Sequence, residues 1–377
     1  MRFIDMFAGM GTVRMGFEQA GHECVSAIEF DPHKREIYGV IFGHEPEFGD
    51  ITAVRGPDLP YADCWCFGAP CQDFSVAGLR AGLDGERSGL VREVFRLVRE
   101  KEPDDRPEWL LYENVKGMLS SNNGWDFAAI QAEMGQCGYD VQWQLLNSKD
   151  FGVPQNRERV YTLGHLSAKG SRKVFPIGES GRLHNKPVSD KSSDNEITLC
   201  LTSKGQNNWT GSFVKQIGNV MPTATRGNPN QGRVYDPTGL APCLNQSDYK
   251  RGTLIPEPMF TLTNHDIHGV MIPEATQKGY AKAYEGDSIN LSMPNSKTRR
   301  GRVGKGIANT LDCACNQATL QNSRIRRLTP RECMRLQGVP DYITDKLIAA
   351  GISDTQMYRA AGDACTVNVI YEIARRL

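Results

Sequence analysis

The chain has 377 residues, 39% of them hydrophobic, with 44 Lys+Arg balanced by 44 Asp+Glu. That length allows one large domain or two moderate ones, each with its own core. The opening run MRFIDMFAG is too short for a membrane span and lacks a signal-peptide cleavage pattern, so a soluble cytoplasmic protein is expected.

In chain order, six apolar runs read as strands: FIDMFA (3–8), CVSAIEF (24–30), DCWCFGA (63–69), WLLYENV (109–115), VQWQLL (141–146) and RVYTLGHL (159–166). Between them apolar residues recur near the helical period, as at Leu90, Val94, Leu97 and Val98, and again at Phe127, Ile130 and Met134. Asp31-Pro32 supplies an N-cap followed by proline in the first turn. The alternation implies an α/β domain with a mostly parallel sheet covered on both faces.

From about 169 to 323 the texture changes to Gly, Pro, Asn, Ser and Thr without helical period, although Trp209, Phe213, Tyr235, Tyr249 and Phe260 argue against a linker. An irregular region of short strands is expected, with a weak internal echo between 232–245 and 301–312 that reads as a repeated strand-turn unit. Lys and Arg outnumber Asp and Glu by 21 to 12 over 171–330, so the neutral total hides a basic middle. Clustered positive charge is the footprint of a polyanion partner, or equally of a solvated surface face. Helix-compatible sequence returns at 326–340 and 366–377, and Thr329, Pro330 and Glu332 mark a helix start.

The eleven cysteines contain no CxxC pair, and the two CxC pairs, Cys64/Cys66 and Cys313/Cys315, have no histidines at zinc-finger spacing. Thiols rather than disulfides or a structural metal are expected. His265 and His268 form an isolated HxxH, read as surface decoration.

Chemistry-bearing residues gather where strands end. Asp5-Met6-Phe7-Ala8-Gly9-Met10-Gly11 spans the end of the first strand and the start of a helix, where glycines let the backbone turn sharply and approach a ligand. Glu29 ends the second strand about twenty residues on, where an acid can accept from ribose hydroxyls. Asp50 ends a third such segment, and the missing third glycine disfavours a dinucleotide relative to a smaller adenosyl cofactor. Cys71, in FGAPCQDFS, is either a small core residue ending a strand or a reactive thiol. It is joined by Glu113-Asn114-Val115 and Gln155-Asn156-Arg157-Glu158-Arg159, each explicable alone as a cap or a surface ion pair. In a parallel sheet the carboxyl ends of strands form the ligand crevice, so a thiol, a carboxyl and arginines can converge there.

The ordered set FAGMG, EFD, GDI, GAPCQDFS, ENV, QNRERVY, RRLTPRECMRLQG and AAGDACTVNVI closely resembles the motif series of the DNA cytosine-5 methyltransferases. The likeness covers roughly 1–166 and 324–377. It implies a Rossmann-like, S-adenosylmethionine-dependent methyltransferase fold with a smaller, irregular, β-containing target-recognition domain. The implied organisation is a catalytic domain over 1–168 completed by 350–377, a recognition domain over 169–323, and a connecting segment over 324–349.

The resemblance also implies roles. Cys71 is the expected nucleophile toward C6 of a flipped-out cytosine, because C5 is a poor nucleophile until a thiolate adds to the ring. Glu113 is expected to hold N3 and the exocyclic amine, with its carboxyl pKa raised in a dry pocket. Arg159 is expected at O2, with Asn114 and Arg157 ordering the loop around the ring.

The cofactor pocket would use Phe7, Gly9 and Gly11 around the methionine part, Glu29 on the ribose and Phe30 stacking on adenine. Asp50 and Ile51 would meet the adenine edge, with Pro70 and Leu90 closing the pocket; a plain core role for Leu90 remains open. Gln72, Ser75 and Arg80 lie on a Gly-containing loop running to Leu90 and are candidate DNA contacts. Within the recognition domain, Arg226 and Arg233 are candidate base readers, and Thr310-Leu311 and Thr319-Leu320 both fit the family's Thr-apolar pair.

Asp363 departs from the family's usual Gly-Asn. It either accepts from backbone amides at Gly9–Gly11 or faces the cofactor. Double-stranded DNA is the implied partner of a monomer, and any cognate restriction endonuclease is a separate chain. A tRNA cytosine-5 methyltransferase and a catalytically silent DNA-binding module are the competing readings.

Overall fold

The computed structural model describes residues 1–68, 89–170, 172–178, 270–293, 296, 298–321 and 324–377, and the backbone of 216–219 and 233–235. Pro70, Cys71, Gln72, Ser75, Arg80 and Arg226 lie outside the described residues, as do the Arg233 side chain and the HxxH pair.

All six expected strands form. They are β1 (Arg2–Met6), β2 (Glu23–Ile28), β3 (Cys64–Phe67), β4 (Trp109–Val115), β5 (Tyr139–Asn147) and, after the two-residue β6 (Gln155–Asn156), β7 (Glu158–Leu166). The main sheet has the order β2-β1-β3-β4-β7-β5. β2, β1, β3 and β4 are parallel, whereas β7 runs antiparallel to both β4 and β5. The parallel strands carry near-continuous apolar runs because both faces are covered; every residue of β3 is buried.

The helices are α1 (Thr12–Gln19), α2 (Pro32–Phe42), α3 (Leu90–Glu100), α4 (Trp125–Gln136), α5 (Pro330–Leu336), α6 (Asp341–Ala349), α7 (Asp354–Asp363) and α8 (Val367–Ala374). One sheet face packs Trp65, Phe67, Leu110 and Tyr112 against Val94, Phe95 and Leu97 of α3 and Ile130 and Met134 of α4. Each such fully buried apolar side chain contributes about 1.5–3 kcal/mol. The other face packs Phe3, Trp109 and Leu111 against Phe17 of α1 and Ile370 and Ile373 of α8. α8 approaches α1 so closely that a Cβ on Gly16 would lie 2.6 Å from Ile370. The C-terminal end of the chain thus completes the layer begun by the N-terminal strands.

Thr329 caps α5, accepting from the Glu332 amide while the Glu332 carboxylate accepts from the Thr329 amide. The helix-compatible run at 326–340 is shorter as a helix than it reads, because Arg326 and Arg327 belong to a strand.

In the middle region, β8 (Gln216–Asn219) pairs antiparallel with β9 (Arg233–Tyr235), and β10 (Val270–Pro273) with β11 (Tyr280–Ala283). β12 (Ser288–Asn290), β13 (Val303–Gly304), β15 (Gln317–Gln321) and β16 (Arg324–Arg327) make a four-stranded antiparallel sheet, and β14 (Ala308–Asn309) pairs parallel with β6. Ile272, Ala283, Ile289, Ala318 and Leu320 form a separate small core. The second copy of the internal echo supplies β13 and β14; the first supplies β9, and its remainder lies outside the described residues.

Among the described residues, no helix is long and apolar enough to cross a membrane. The same residues hold no group of three or more His, Cys, Asp or Glu suited to a metal ion. The eight described cysteines are free.

Candidate active site and cofactor cleft

Glu113 stands near the carboxyl end of β4 and Arg159 near the start of β7. The antiparallel register sets Val115 opposite Arg159 and Glu113 opposite Tyr161, so Glu113 and Arg159 are diagonal neighbours. Arg159 Nε lies 3.1 Å from Glu113 Oε1, with the two side chains only 13% and 15% exposed. The second carboxylate oxygen looks toward Gly68, where an added Cβ would come within 3.3 Å of it. Glycine just after β3 therefore keeps space open beside the acid, on the chain leading to Cys71.

Asn114 is buried, and its amide is used within the strand end: Nδ2 donates to Tyr112 Oη at 2.5 Å, and Oδ1 accepts from the Val115 amide at 2.7 Å. Arg157 is also buried but does not reach toward Glu113. Its guanidinium donates to the carbonyls of Leu311 at 3.3 Å, Gly362 at 3.2 Å and Ala364 at 2.8 Å. Burial, and then the nearby Arg159 charge, pull its pKa down to about 10. Arg157 thus joins the link between β6 and β7 to Leu311 of the middle region and to the C-terminal end of α7.

The turn between β1 and α1 has three residues of positive φ: Phe7 at 60°, Gly9 at 59° and Gly11 at 81°. Gly11 occupies the N-cap of α1, and a Cβ there would strike the Phe42 ring. Gly9 instead faces open space, with no atom within 4 Å of the position of an added Cβ. Its amide donates to Glu29 Oε2 at 2.7 Å, while Glu29 Oε1 accepts from the Asp31 amide at 2.8 Å. Arg35 ties the same strand end down, donating to the carbonyls of Glu29, Phe48 and Pro46. Next to Glu29, Phe30 is 73% exposed, an uncovered aromatic ring beside a carboxylate held by two backbone amides.

Asp50 caps a short 3-10 turn, accepting from the amide and hydroxyl of Thr52. Ile51 is buried in the large core cluster against which Phe7 and Leu90 also pack. An open space at Gly9, a carboxylate with spare lone pairs and an exposed aromatic ring fit an adenosyl group.

The Gly9 amide donates to Glu29 and the Gly11 amide to the Ala8 carbonyl, so the first expectation for Asp363 is not met: Asp363 accepts from neither glycine. Its Oδ2 pairs with Lys34 Nζ at 2.8 Å, and its Oδ1 accepts from the Cys313 thiol at 2.8 Å. Burial alone would raise its pKa, but the Lys34 ammonium and the Cys313 thiol hold it below the ordinary carboxylate value. Sequence reasoning gave no role to Lys34 and Arg35 and read Cys313 only as half of a CxC pair of thiols. Lys34 and Arg35 look like ordinary surface charges on a helix, and Cys313 lies where no periodicity guides the eye.

The two Thr-apolar pairs also separate. Thr310 Oγ1 donates to the Asn156 carbonyl at 2.8 Å and Leu311 is buried beside Arg157, whereas Thr319 and Leu320 lie inside β15. Among the described residues, the first pair contacts Asn156 and Arg157, the segment that leads into β7.

The family model of the C-5 cytosine-specific DNA methylases matches residues 1–377. The type II methyltransferase M.BanI of Aneurinibacillus aneurinilyticus is 32% identical over 427 residues, covering 100% of this chain and 95% of the relative. The type II methyltransferase M.HhaI of Haemophilus parahaemolyticus is 28% identical, covering 99% and 93%. Among solved structures, the S. pombe Dnmt2 methyltransferase superposes with a TM-score of 0.56 at 17% identity, covering 99% of this chain and 97% of that one, a likeness of fold. The match along the entire chain, the relatives and the Rossmann-like sheet agree: the chain belongs to the C-5 cytosine-specific DNA methylase family and is a DNA cytosine-5 methyltransferase.

Proposed function

We propose that the protein methylates C5 of one flipped-out cytosine within a specific duplex DNA sequence, through a covalent bond between Cys71 and C6. The observation that carries this reading is the 3.1 Å pair of Glu113 and Arg159 beside Gly68. Cytosine presents O2, N3 and the exocyclic amine along one continuous edge. A guanidinium and a carboxyl set side by side match that edge, Arg159 at O2 and Glu113 at N3 and the amine. A target stacked in duplex DNA cannot reach them, so the base leaves the helix.

S-adenosylmethionine supplies the methyl group when bound. Phe7, Gly9 and Gly11 would surround its methionine part, Glu29 the ribose, Phe30 the adenine face, and Asp50, Ile51, Pro70 and Leu90 the remaining walls. Cys71 adds to C6 and makes C5 electron-rich. Glu113 stabilises the adduct by proton donation at N3. After transfer a base, water in this reading, takes the C5 proton; that electron pair re-forms the C5–C6 double bond, the Cys71 sulfur leaves as a thiolate, and the N3 proton returns to Glu113. Asn114 and Arg157 act as positioning residues, through the strand end and the carbonyl clamp.

The proposed organisation assigns catalysis to 1–168 with 350–377, connection to 324–349 and sequence reading to 169–323. Gln72, Ser75 and Arg80 would meet the DNA backbone; Arg226, Arg233, Thr310 and Leu311 would face the bases or position that segment. The protein would act as a cytoplasmic monomer, with any endonuclease on another chain. Bisulfite sequencing of DNA from cells expressing the protein tests the reading: one protected cytosine context is expected. Methyl incorporation into tRNA but not duplex DNA would overturn it.

A further inference from the structure

Helix α7 lies along the first turns of α2 through polar contacts. Gln356 Nε2 is 3.3 Å from His33 Nδ1, Arg359 pairs with Asp31 Oδ2 at 3.1 Å, and Asp363 pairs with Lys34 at 2.8 Å. Asp31 is also the residue whose amide holds Glu29 Oε1. At the end of α7, Gly362 meets the backbone of Asp312 and Cys313 so closely that a Cβ would lie 2.5 Å from the Asp312 carbonyl. Cys313 donates to Asp363, and Arg157 gathers the carbonyls of Leu311, Gly362 and Ala364. An unbroken series of contacts therefore runs from the 310–313 segment, through Asp363 and Lys34, to Asp31, Glu29 and Gly9.

We propose that Asp363, with Lys34 and Cys313, is a latch that couples occupancy of the cofactor cleft to the seating of the 310–313 segment on DNA. Each carboxylate oxygen serves one side: Oδ2 holds the cation of α2, and Oδ1 holds the thiol of the middle region. Hydrogen bonds weaken steeply with distance and angle, so a displacement of either side that breaks one bond changes the position favoured by the other. The ion pair is partly exposed, and its opening is correspondingly cheap, which suits an element with two arrangements. By linkage, the same factor must appear whether DNA tightens the cofactor or the cofactor tightens DNA. The proposal rests on the reading of Gly9, Glu29 and Phe30 as the cofactor cleft and of 310–311 as a DNA-facing segment.

The test is calorimetric titration of S-adenosylhomocysteine into the full-length protein, alone and with a duplex carrying the context identified by bisulfite sequencing. Wild type is expected to bind at least about fivefold more tightly with the duplex present. In Lys34→Met and in Cys313→Ala that ratio should fall below about twofold, and Cys313→Ser, which keeps a donor, should recover part of it. A wild-type ratio retained in both deletions, or no ratio in wild type, overturns the latch. Melting curves of the variants establish that they are folded at the titration temperature, and a Cys313→Ser ratio no better than that of Cys313→Ala also counts against the latch. Glu29→Gln separates the two levels of inference: unchanged binding in that variant overturns the cofactor reading itself.

Discussion

Arg159 and Glu113, far apart in the chain, meet at 3.1 Å because β7 returns antiparallel to β4 in the register that sets Arg159 opposite Val115. The pair is largely shielded from water, so each group depends on the other. Replacing Arg159 with alanine should leave a nearly buried carboxylate without its cation and destabilise the fold by about 3 kcal/mol. Methyl transfer should fall at least about a hundredfold, while S-adenosylhomocysteine affinity stays within about threefold. Denaturant unfolding, single-turnover kinetics and calorimetry check the three parts. Arg159→Lys should fare little better, because an ammonium cannot reproduce the planar fork.

Arg157 carries a different load. Arg157→Met removes the donor shared by the carbonyls of Leu311, Gly362 and Ala364, and should cost about 2–4 kcal/mol in urea unfolding. If the variant is as stable as wild type, the clamp is not what holds these segments together.

The two glycines of the first turn should respond differently. Gly11→Ala drives a Cβ into Phe42 at a positive φ and should lower stability by more than about 1 kcal/mol. Gly9→Ala meets no protein atom, so its stability cost is that of the φ alone, while its side chain enters the proposed cofactor space. Loss of S-adenosylhomocysteine affinity of about tenfold or more is expected for Gly9→Ala. Equal affinity in Gly9→Ala and wild type would place the cofactor elsewhere.

Asp5 supplies a pH prediction. It is fully buried in β1, and burial pushes its pKa well above 3.8 despite the hydrogen bond from the Arg14 amide. An acid with a raised folded pKa binds more protons folded than unfolded, so its contribution is most favourable below 3.8 and declines as pH rises toward the folded value. Asp5→Asn should therefore gain stability relative to wild type as pH rises above about 4, read by guanidinium unfolding across a pH series. A difference independent of pH in that range would show that Asp5 is not neutral in the fold.

The α/β core was legible because burial on both faces leaves an uninterrupted apolar record. CWCF, for example, is buried at every position, and Leu90, Val94, Leu97 and Val98 fall on one helix. The small sheet of the middle region left no such record. β12 reads Ser-Ile-Asn, and its buried Ser288 and Asn290 satisfy themselves with hydrogen bonds, including Ser288 Oγ to Gln317 Oε1 at 3.3 Å. Apolar alternation is not needed where polar groups are paired inside, so strand periodicity fails there.

At the site, motif order pointed to Glu113 and Arg159, but their contact depends on strand register. The partners of Asp363 were illegible for a related reason: Lys34 and Cys313 are remote from it in sequence and meet it where α7 lies against α2 and the 310–313 segment.

The central claim is a covalent Cys71–C6 intermediate in cytosine C5 methylation. The most direct measurement is denaturing electrophoresis of the protein incubated with S-adenosylmethionine and a duplex carrying 5-fluorocytosine at its methylated position, in wild type and Cys71→Ala. The wild type should form a denaturation-resistant protein–DNA band and the variant none, with methyl transfer by Cys71→Ala abolished on the unmodified duplex. Turnover by Cys71→Ala within about tenfold of wild type would contradict the covalent mechanism.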